Sequence, residues 1–217
     1  MRRFGVICIA VLLGCGGRPQ ESAQPDPPLT VVFAGDSLTQ QWQWYWKDTM
    51  PQTYLNYTDE GVGGNTSGLL LARYQHDILA SDARVVHILI GTNDSVGDIR
   101  NNSIPLEVTE HNITQMVSAA KARFHLKEVV IGTVPPVTAQ FPQSALINDH
   151  VRELNQWIRQ FGVQWKIPVA DYYSVLEQDG YLNPTYCIDG RVHLNKAGYE
   201  VISPLTLAAF NEIPSAP

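Results

Sequence analysis

The amino-acid sequence predicts an α/β protein, a three-layer α/β/α sandwich around a central five-stranded parallel sheet. Five short runs rich in Val and Ile, or otherwise apolar, lack the polar alternation of a sheet with one wet face, so they read as strands covered on both sides. Helical patterns lie between them, as in strand–helix–strand units. The residues with chemical potential follow the runs, and ligands of such sheets bind beyond the carboxyl ends of the strands.

In chain order, Thr30–Ala34 (TVVFA) stops at Gly35 and reads as a buried strand entering a tight turn. A weaker run, Tyr54–Tyr57, precedes the glycine-rich Gly61-Val62-Gly63-Gly64. Ser67–Leu79 places Leu70, Leu71, Tyr74 and Ile78 on one helical face. Arg84–Ile90 is the third strand and ends at Gly91. Val108–Phe124 is helical through Ile113, Met116, Val117 and Ala120, and Glu128–Val134 is the fourth strand, ending at Pro135-Pro136. Ala145–Phe161 repeats the helical pattern with Leu146, Val151, Leu154 and Ile158. Ile167–Ala170 is the last strand, before Asp171, and Asn195–Phe210 is a closing helix. The polar segments Gly97–Ile104 and Thr138–Ser144 read as loops at the edge where substrate choice is made.

Composition narrows the function. With 21 acidic against 15 basic residues the 217-residue chain carries a formal charge of −6. It has no basic run, which argues against a nucleic-acid partner. Three scattered cysteines, Cys8, Cys15 and Cys187, supply neither a disulfide scaffold nor the paired spacings of a zinc site. No metal and no cofactor is expected.

The chain begins with Arg2-Arg3 and an apolar run from Phe4 to Leu13, too short to span a bilayer but suited to a signal peptide. The run ends in Leu12-Leu13-Gly14-Cys15, which resembles a bacterial lipobox; the plainer alternative is a signal peptide with an accidental cysteine. On the lipobox reading, residues 1–14 are the leader and Cys15 carries the acyl chains. Residues 15–28, with four prolines between Gly16 and Pro28, then form a tether, and 29–217 the catalytic domain. Cleavage removes Arg2 and Arg3 and takes the charge from −6 to −8. The localisation implied is the cell envelope, lipid-anchored, with an outer-membrane preference because Gly16 is not the aspartate associated with inner-membrane retention. Five Asn-X-Ser/Thr triplets are read as chance in a bacterial chain.

Four blocks follow the strands: Gly35-Asp36-Ser37-Leu38, Gly61 to Thr66, Gly91-Thr92-Asn93-Asp94, and Asp189 to Asn195. Each alone is weak, since glycine clusters are commonly turns and a lone histidine is commonly a packed residue. Their order and placement give them weight. With Val134-Pro135-Pro136 and the terminal His193-Leu194-Asn195…Gly198-Tyr199, they make the chain resemble the SGNH hydrolases, or GDSL-like esterases, over Val31–Ile202.

That resemblance implies a flavodoxin-like fold and a cofactor-free serine esterase working through an acyl-enzyme. Ser37 is the implied nucleophile and His193 the base that becomes the acid. The oxyanion donors are the backbone N–H groups of Ser37 and Gly64 and the side-chain amide of Asn93. Glycine at 64 would let bare backbone approach the substrate. The family spaces its aspartate three residues before the histidine, where this chain has Gly190. Asp189, four residues before, is the candidate orienting acid, and the alternative is a Ser37–His193 dyad with a backbone carbonyl orienting the imidazole.

Other residues carry plainer expectations. Asp36 and Asp94 are read as loop supports, Asp171 as a loop brace, and His76, His87, His111, His125 and His150 as surface or packing residues. Cys187 reads as a small buried hydrophobe. The cluster Trp42, Trp44, Tyr45 and Trp46 is either core or a stacking platform for sugars or apolar groups. The resemblance brings acetylated glycans, lysophospholipids, short acyl esters and thioesters as substrate classes; an extracytoplasmic anchor favours envelope or extracellular glycans and lipids. The competing readings are a non-catalytic binding lipoprotein on the same fold and a nucleotide or flavin binder using Gly61–Gly68. The latter lacks the Lys-Ser/Thr of a phosphate loop.

Overall fold

The computed structural model describes residues 29–51, 55–101, 104–123 and 128–213. Cys15, the leader and the tether lie outside the described residues, as do Tyr54, Phe124 and His125. The first strand, β1 (Leu29–Gly35), leads through α1 (Ser37–Trp42) and α2 (Trp46–Thr49) to β2 (Leu55–Gly61). Next come α3 (Ser67–Arg73), continued by one π-helical turn at Tyr74–Ile78, then β3 (Val85–Leu89), α4 (Thr92–Asn101) and α5 (Leu106–Lys121). After β4 (Glu128–Gly132) follow α6 (Ser144–Trp165), β5 (Val169–Ala170), α7 (Tyr172–Leu176), the short strands β6 (Glu177–Gln178) and β7 (Tyr181–Leu182), a 3₁₀ turn at Pro184–Tyr186, and α8 (Lys196–Asn211).

The five main strands form one sheet in the order β2-β1-β3-β4-β5, every pairing parallel. Strand β1 therefore sits between β2 and β3, and its two neighbours lie on opposite sides of it. In register, Gly35 stands opposite Gly61 on one side and Leu89 on the other. The chain segments that leave these three strands start side by side, at the point where the strand order reverses.

Alternation along β1 separates two cores. Val32 and Ala34 join Leu70, Met116, Val151 and Leu154 under α3, α5 and α6. Val31 and Phe33 join Leu38, Trp42, Tyr172, Tyr199 and Phe210 under α1, α7 and α8. Covering both faces explains the unbroken apolar strands, and the three-layer parallel architecture is the one the sequence predicts.

Some elements differ from expectation. The segment Gly97–Ile104, expected as a loop, is helical as far as Asn101. The last strand is two residues rather than four. The β6–β7 hairpin turns through Asp179 and Gly180, both with positive φ (55° and 83°), which is the backbone an Asp-Gly pair favours in a two-residue hairpin.

Candidate active site

The nucleophile candidate stands where β1 becomes α1. Asp36 caps that helix, its Oδ1 accepting from the Leu38 N–H at 2.9 Å, and Ser37 is the first helical residue. The strand and helix meet tightly: a Cβ on Gly35 would come within 2.3 Å of the Leu89 carbonyl, and one on Gly61 within 2.2 Å of the Gln40 nitrogen. Bare backbone at both positions lets α1 lie against the ends of β1, β2 and β3. Tyr199 of α8 reaches across to donate to the Leu38 carbonyl at 2.7 Å, so the Gly198-Tyr199 pair braces the nucleophile helix.

Across from Ser37 is a turn closed by an antiparallel bridge between Cys187 and Leu194, with the Ile188 N–H donating to the His193 carbonyl at 2.9 Å. Inside it the Asp189 carboxylate takes backbone N–H bonds from Arg191, Val192 and His193 at 2.8, 2.9 and 3.2 Å through Oδ1. Its Oδ2 lies 2.6 Å from His193 Nδ1, and His193 Nε2 lies 3.0 Å from Ser37 Oγ. The four-residue spacing is spanned by this turn, with Gly190 at φ +69°, and not by a helical turn. Partial burial pushes the Asp189 carboxyl up. The Val192 and Arg191 N–H groups and the His193 imidazole outweigh that and hold it below the ordinary carboxylate range. An ionised Asp189 can only accept, so it retains a proton on Nδ1 and leaves the Nε2 lone pair for the serine hydroxyl. The Cys187 thiol, half-buried, also donates to Asp189 at 3.3 Å.

The third group comes from the segments after β2 and β3. Gly64 has φ +77°, and among the described residues a Cβ there would meet nothing within 4 Å. Glycine is thus favoured by backbone conformation rather than by crowding from the described residues. A Cβ on neighbouring Gly63 would lie 3.8 Å from the Ser37 Cβ, which places this loop against the nucleophile. Asn93 Nδ2 donates to the Asn65 carbonyl at 2.9 Å, which uses one of its two amide hydrogens and leaves one for a ligand. Asp94, fully buried, accepts from Ser67 N and Oγ and from Thr109 Oγ1, fixing the start of α3 and α5 beside Asn93. Asp171 caps α7 and pairs with Arg159 at 2.9 Å, away from Ser37.

The tryptophans divide. Trp42 is buried, stacked on Tyr199 at 5.5 Å between ring centres; Trp46 packs on Phe33 and Tyr57; Trp44 alone is largely exposed. They form no shared platform. A cavity of about 220 Å³ is bounded by Gly190 of the His193 turn, by Thr138–Gln140, and by Gln178, Asp179 and Tyr181 of the hairpin. A larger hollow of about 800 Å³ beside Lys121, Glu128, Arg159 and Trp165 has no serine, cysteine or histidine in its described wall. The smaller cavity likewise has none in its described wall, and it adjoins the site through Gly190, three residues before His193. Among the described residues no group of three His, Cys, Asp or Glu side chains is placed to hold a metal ion.

Sequence reasoning passed over two supports. Asn148 and Asn155, seven residues apart on the buried face of α6, each exchange two hydrogen bonds with the backbone of Val137 and Val134. The loop they hold leads to Thr138, which bonds the carbonyls of Gly190 and Arg191 and so fixes the His193 turn. Buried asparagines at heptad spacing in an apolar stripe were the available signal.

Known proteins share the family and the fold. The profile of the GDSL-like Lipase/Acylhydrolase family matches residues 33–201. Among solved structures, a Bacteroides fragilis protein assigned as an acylhydrolase is 32% identical, with a TM-score of 0.73 over 87% of this chain and 90% of that one. A GDSL-like lipase of Bacteroides thetaiotaomicron is 30% identical, with a TM-score of 0.72 over 84% and 88%. The acetylxylan esterase Axe2 of Geobacillus stearothermophilus shares the fold at 20% identity, with a TM-score of 0.65 over 88% and 96%. No curated protein matches the chain in sequence.

Proposed function

The chain belongs to the GDSL-like lipase/acylhydrolase family and is a carboxylic ester hydrolase; from that premise we propose that Ser37, His193 and Asp189 carry the reaction on acyl esters of envelope or extracellular glycans or lipids. The observation supporting this most directly is the unbroken line from Asp189 through His193 to Ser37 Oγ, with contacts of 2.6 and 3.0 Å. His193 Nε2 takes the hydroxyl proton as Ser37 Oγ attacks the ester carbonyl carbon, and Asp189 stabilises the imidazolium that results. On this reading the negative charge that gathers on the carbonyl oxygen is taken up by the N–H groups of Ser37 and Gly64 and the free hydrogen of the Asn93 amide. Collapse expels the alcohol with the proton from His193, leaving an acyl-enzyme. Water, deprotonated by the same Nε2, then attacks the acyl carbon and regenerates Ser37 with release of the acid.

The substrate class rests on location and on fold. The lipobox-like Cys15 supports an envelope anchor, where glycans and lipids are the esters at hand. The fold shared with Axe2, named as an acetylxylan esterase, supports small acyl groups on polysaccharide as a substrate type. Hydrolysis of 4-nitrophenyl acetate tests the mechanism. Ser37→Ala should lower kcat by about 10⁴-fold or more, and Asp189→Asn by about 10²–10⁴-fold through loss of the oriented tautomer. Equal rates for Ser37→Ala and the parent overturn the serine mechanism; near-normal turnover in Asp189→Asn reduces the triad to a dyad. A panel of acyl chain lengths and acetylated oligosaccharides separates glycans from lipids.

A further inference from the structure

Arg73 lies at the end of α3, yet its guanidinium gathers the ends of two strands and two side chains. Its terminal nitrogen donates to the Glu60 carbonyl at 2.6 Å and to the Gly35 carbonyl at 3.3 Å, the penultimate residue of β2 and the last of β1 before the segments that carry Gly64 and Ser37. Its Nε donates to Asn65 Oδ1 at 2.8 Å, and the opposite nitrogen pairs with Asp77 at 3.2 Å. The planar fork is thereby occupied on three sides, a rigidity that lysine cannot reproduce. Asn65 is almost fully buried and directly follows Gly64. Its own carbonyl is the acceptor that holds the Asn93 amide at 2.9 Å.

From this chain of contacts we propose that Arg73 and Asn65 are positioning residues for an oxyanion donor, acting through the side-chain amide of Asn93. The inference rests on the serine mechanism above. Clamping the Asn65 side chain fixes the direction of the Asn65 carbonyl. That carbonyl holds one Nδ2 hydrogen of Asn93, which points the other at the developing oxyanion. Donors fixed before the reaction need no reorganisation as charge develops, so the benefit falls on the transition state and not on ground-state binding.

Ester hydrolysis by purified single and double variants tests it, with kcat and KM read separately. Asn65→Ala removes the Oδ1 acceptor but leaves the Arg73 bonds to Gly35 and Glu60 in place. It should lower kcat about tenfold with KM within twofold of the parent. Asn65→Asp keeps an acceptor for Nε and should hold kcat within about threefold of the parent. Arg73→Gln should lose at least as much as Asn65→Ala. In an Asn93→Ala background, itself slower by about 10²–10³-fold, Asn65→Ala should cost less than a further twofold, because residues acting as one unit are not additive. Parental kcat in Asn65→Ala, or an undiminished tenfold loss in the Asn93→Ala background, overturns the relay. Ser37→Ala run beside these separates the two ideas: an inactive Ser37→Ala with a normal Asn65→Ala removes only the relay, whereas an active Ser37→Ala removes the serine mechanism and the relay together.

Discussion

Asp36, next to the nucleophile, and His87, in the middle of β3, are both wholly buried and titrate in opposite senses. Burial pushes the Asp36 carboxyl up to about 7, against the pull of the Leu38 N–H and with a push from Asp94. Burial brings the His87 imidazole down to about 3. Burial keeps the imidazole neutral, and a one-way chain sets its tautomer: Thr206 donates to the Ile202 carbonyl, so Tyr172 donates to Thr206 and His87 Nε2 donates to Tyr172. The signs then follow. Between about pH 4 and 7 the folded protein keeps an Asp36 proton that the unfolded chain has released, so this residue's contribution to stability falls as pH rises. Between about pH 3 and 6.5 the unfolded chain holds a His87 proton that the folded protein excludes, so that contribution falls as pH drops. The two nearly cancel in the window they share. Asp36→Asn should gain on the parent by about 4 kcal/mol from pH 4 to 7, and His87→Leu should gain by about 3 kcal/mol from pH 6.5 to 4. Urea unfolding across that range reads both, and parallel curves for parent and variants count against the argument. Legibility at this scale is uneven for a physical reason. Ser37, Gly64, Asn93 and His193 stand in blocks whose residue types announce their chemistry, but Arg73 leaves no motif, and Asn148 and Asn155 show only as two polar residues at heptad spacing in an apolar stripe. The Asp189 partnership needed the actual turn, because four residues with a glycine among them can be traversed in several ways.

At the scale of elements, two glycines of the segment after β3 make opposite demands. Gly91 has φ +124°, and a Cβ there would lie 2.7 Å from Leu154 Cδ2 and 3.1 Å from Val134 Cγ2. Gly97 lies within α4 at an ordinary φ, where among the described residues a Cβ would find Ile104 Cδ1 at 3.7 Å. Gly91→Ala should destabilise the fold by at least about 2 kcal/mol, from backbone strain and overpacking together. It should also slow turnover, since Asn93 is two residues on. Gly97→Ala should be neutral or stabilising by up to about 1 kcal/mol, through helix propensity. Denaturant midpoints with kcat distinguish them, and a shared sign defeats the reading. The same segment shows why α4 was hidden: Asp94-Ser95-Val96-Gly97-Asp98 has no apolar stripe, so periodicity reports nothing, and the helix is held instead by contacts such as Ser95 Oγ to the Gly91 carbonyl. Helices α5, α6 and α8 were legible because each buries one face over four or more turns, whereas α7, β6 and β7 are shorter than any period can register. In β5 the predicted run began at Ile167, but only Val169 and Ala170 pair, opposite Ile131 and Gly132.

For the whole molecule, the parallel sheet sets where the proposed anchor would sit relative to the chemistry. Chain enters β1 at Leu29, opposite Leu55 at the amino end of β2, and Ser37 lies just beyond the carboxyl end of the same strand. Seven strand residues at about 3.3 Å each put about 20 Å of sheet between entry point and nucleophile. If Cys15 carries the lipid, the fourteen residues 15–28 reach at most about 50 Å. A domain held by its amino edge presents the active edge away from its own bilayer, toward material within several tens of ångströms of the membrane. Lipid esters in that bilayer would require the domain to invert on its tether. Anchoring should therefore leave kcat/KM for a soluble acetylated oligosaccharide within about twofold, and raise hydrolysis of acyl esters embedded in the same vesicle by less than about tenfold. This is far below the 10²–10⁴-fold gain open to a tethered pair whose geometry permits contact. Comparing the lipidated protein on vesicles with a soluble Cys15→Ser form measures both ratios. Cell fractionation of the same pair tests the anchor, with Cys15→Ser expected to leave the membrane fraction. A gain of a hundredfold or more on the embedded ester would show that the active edge meets the membrane and would move the substrate from glycan to lipid.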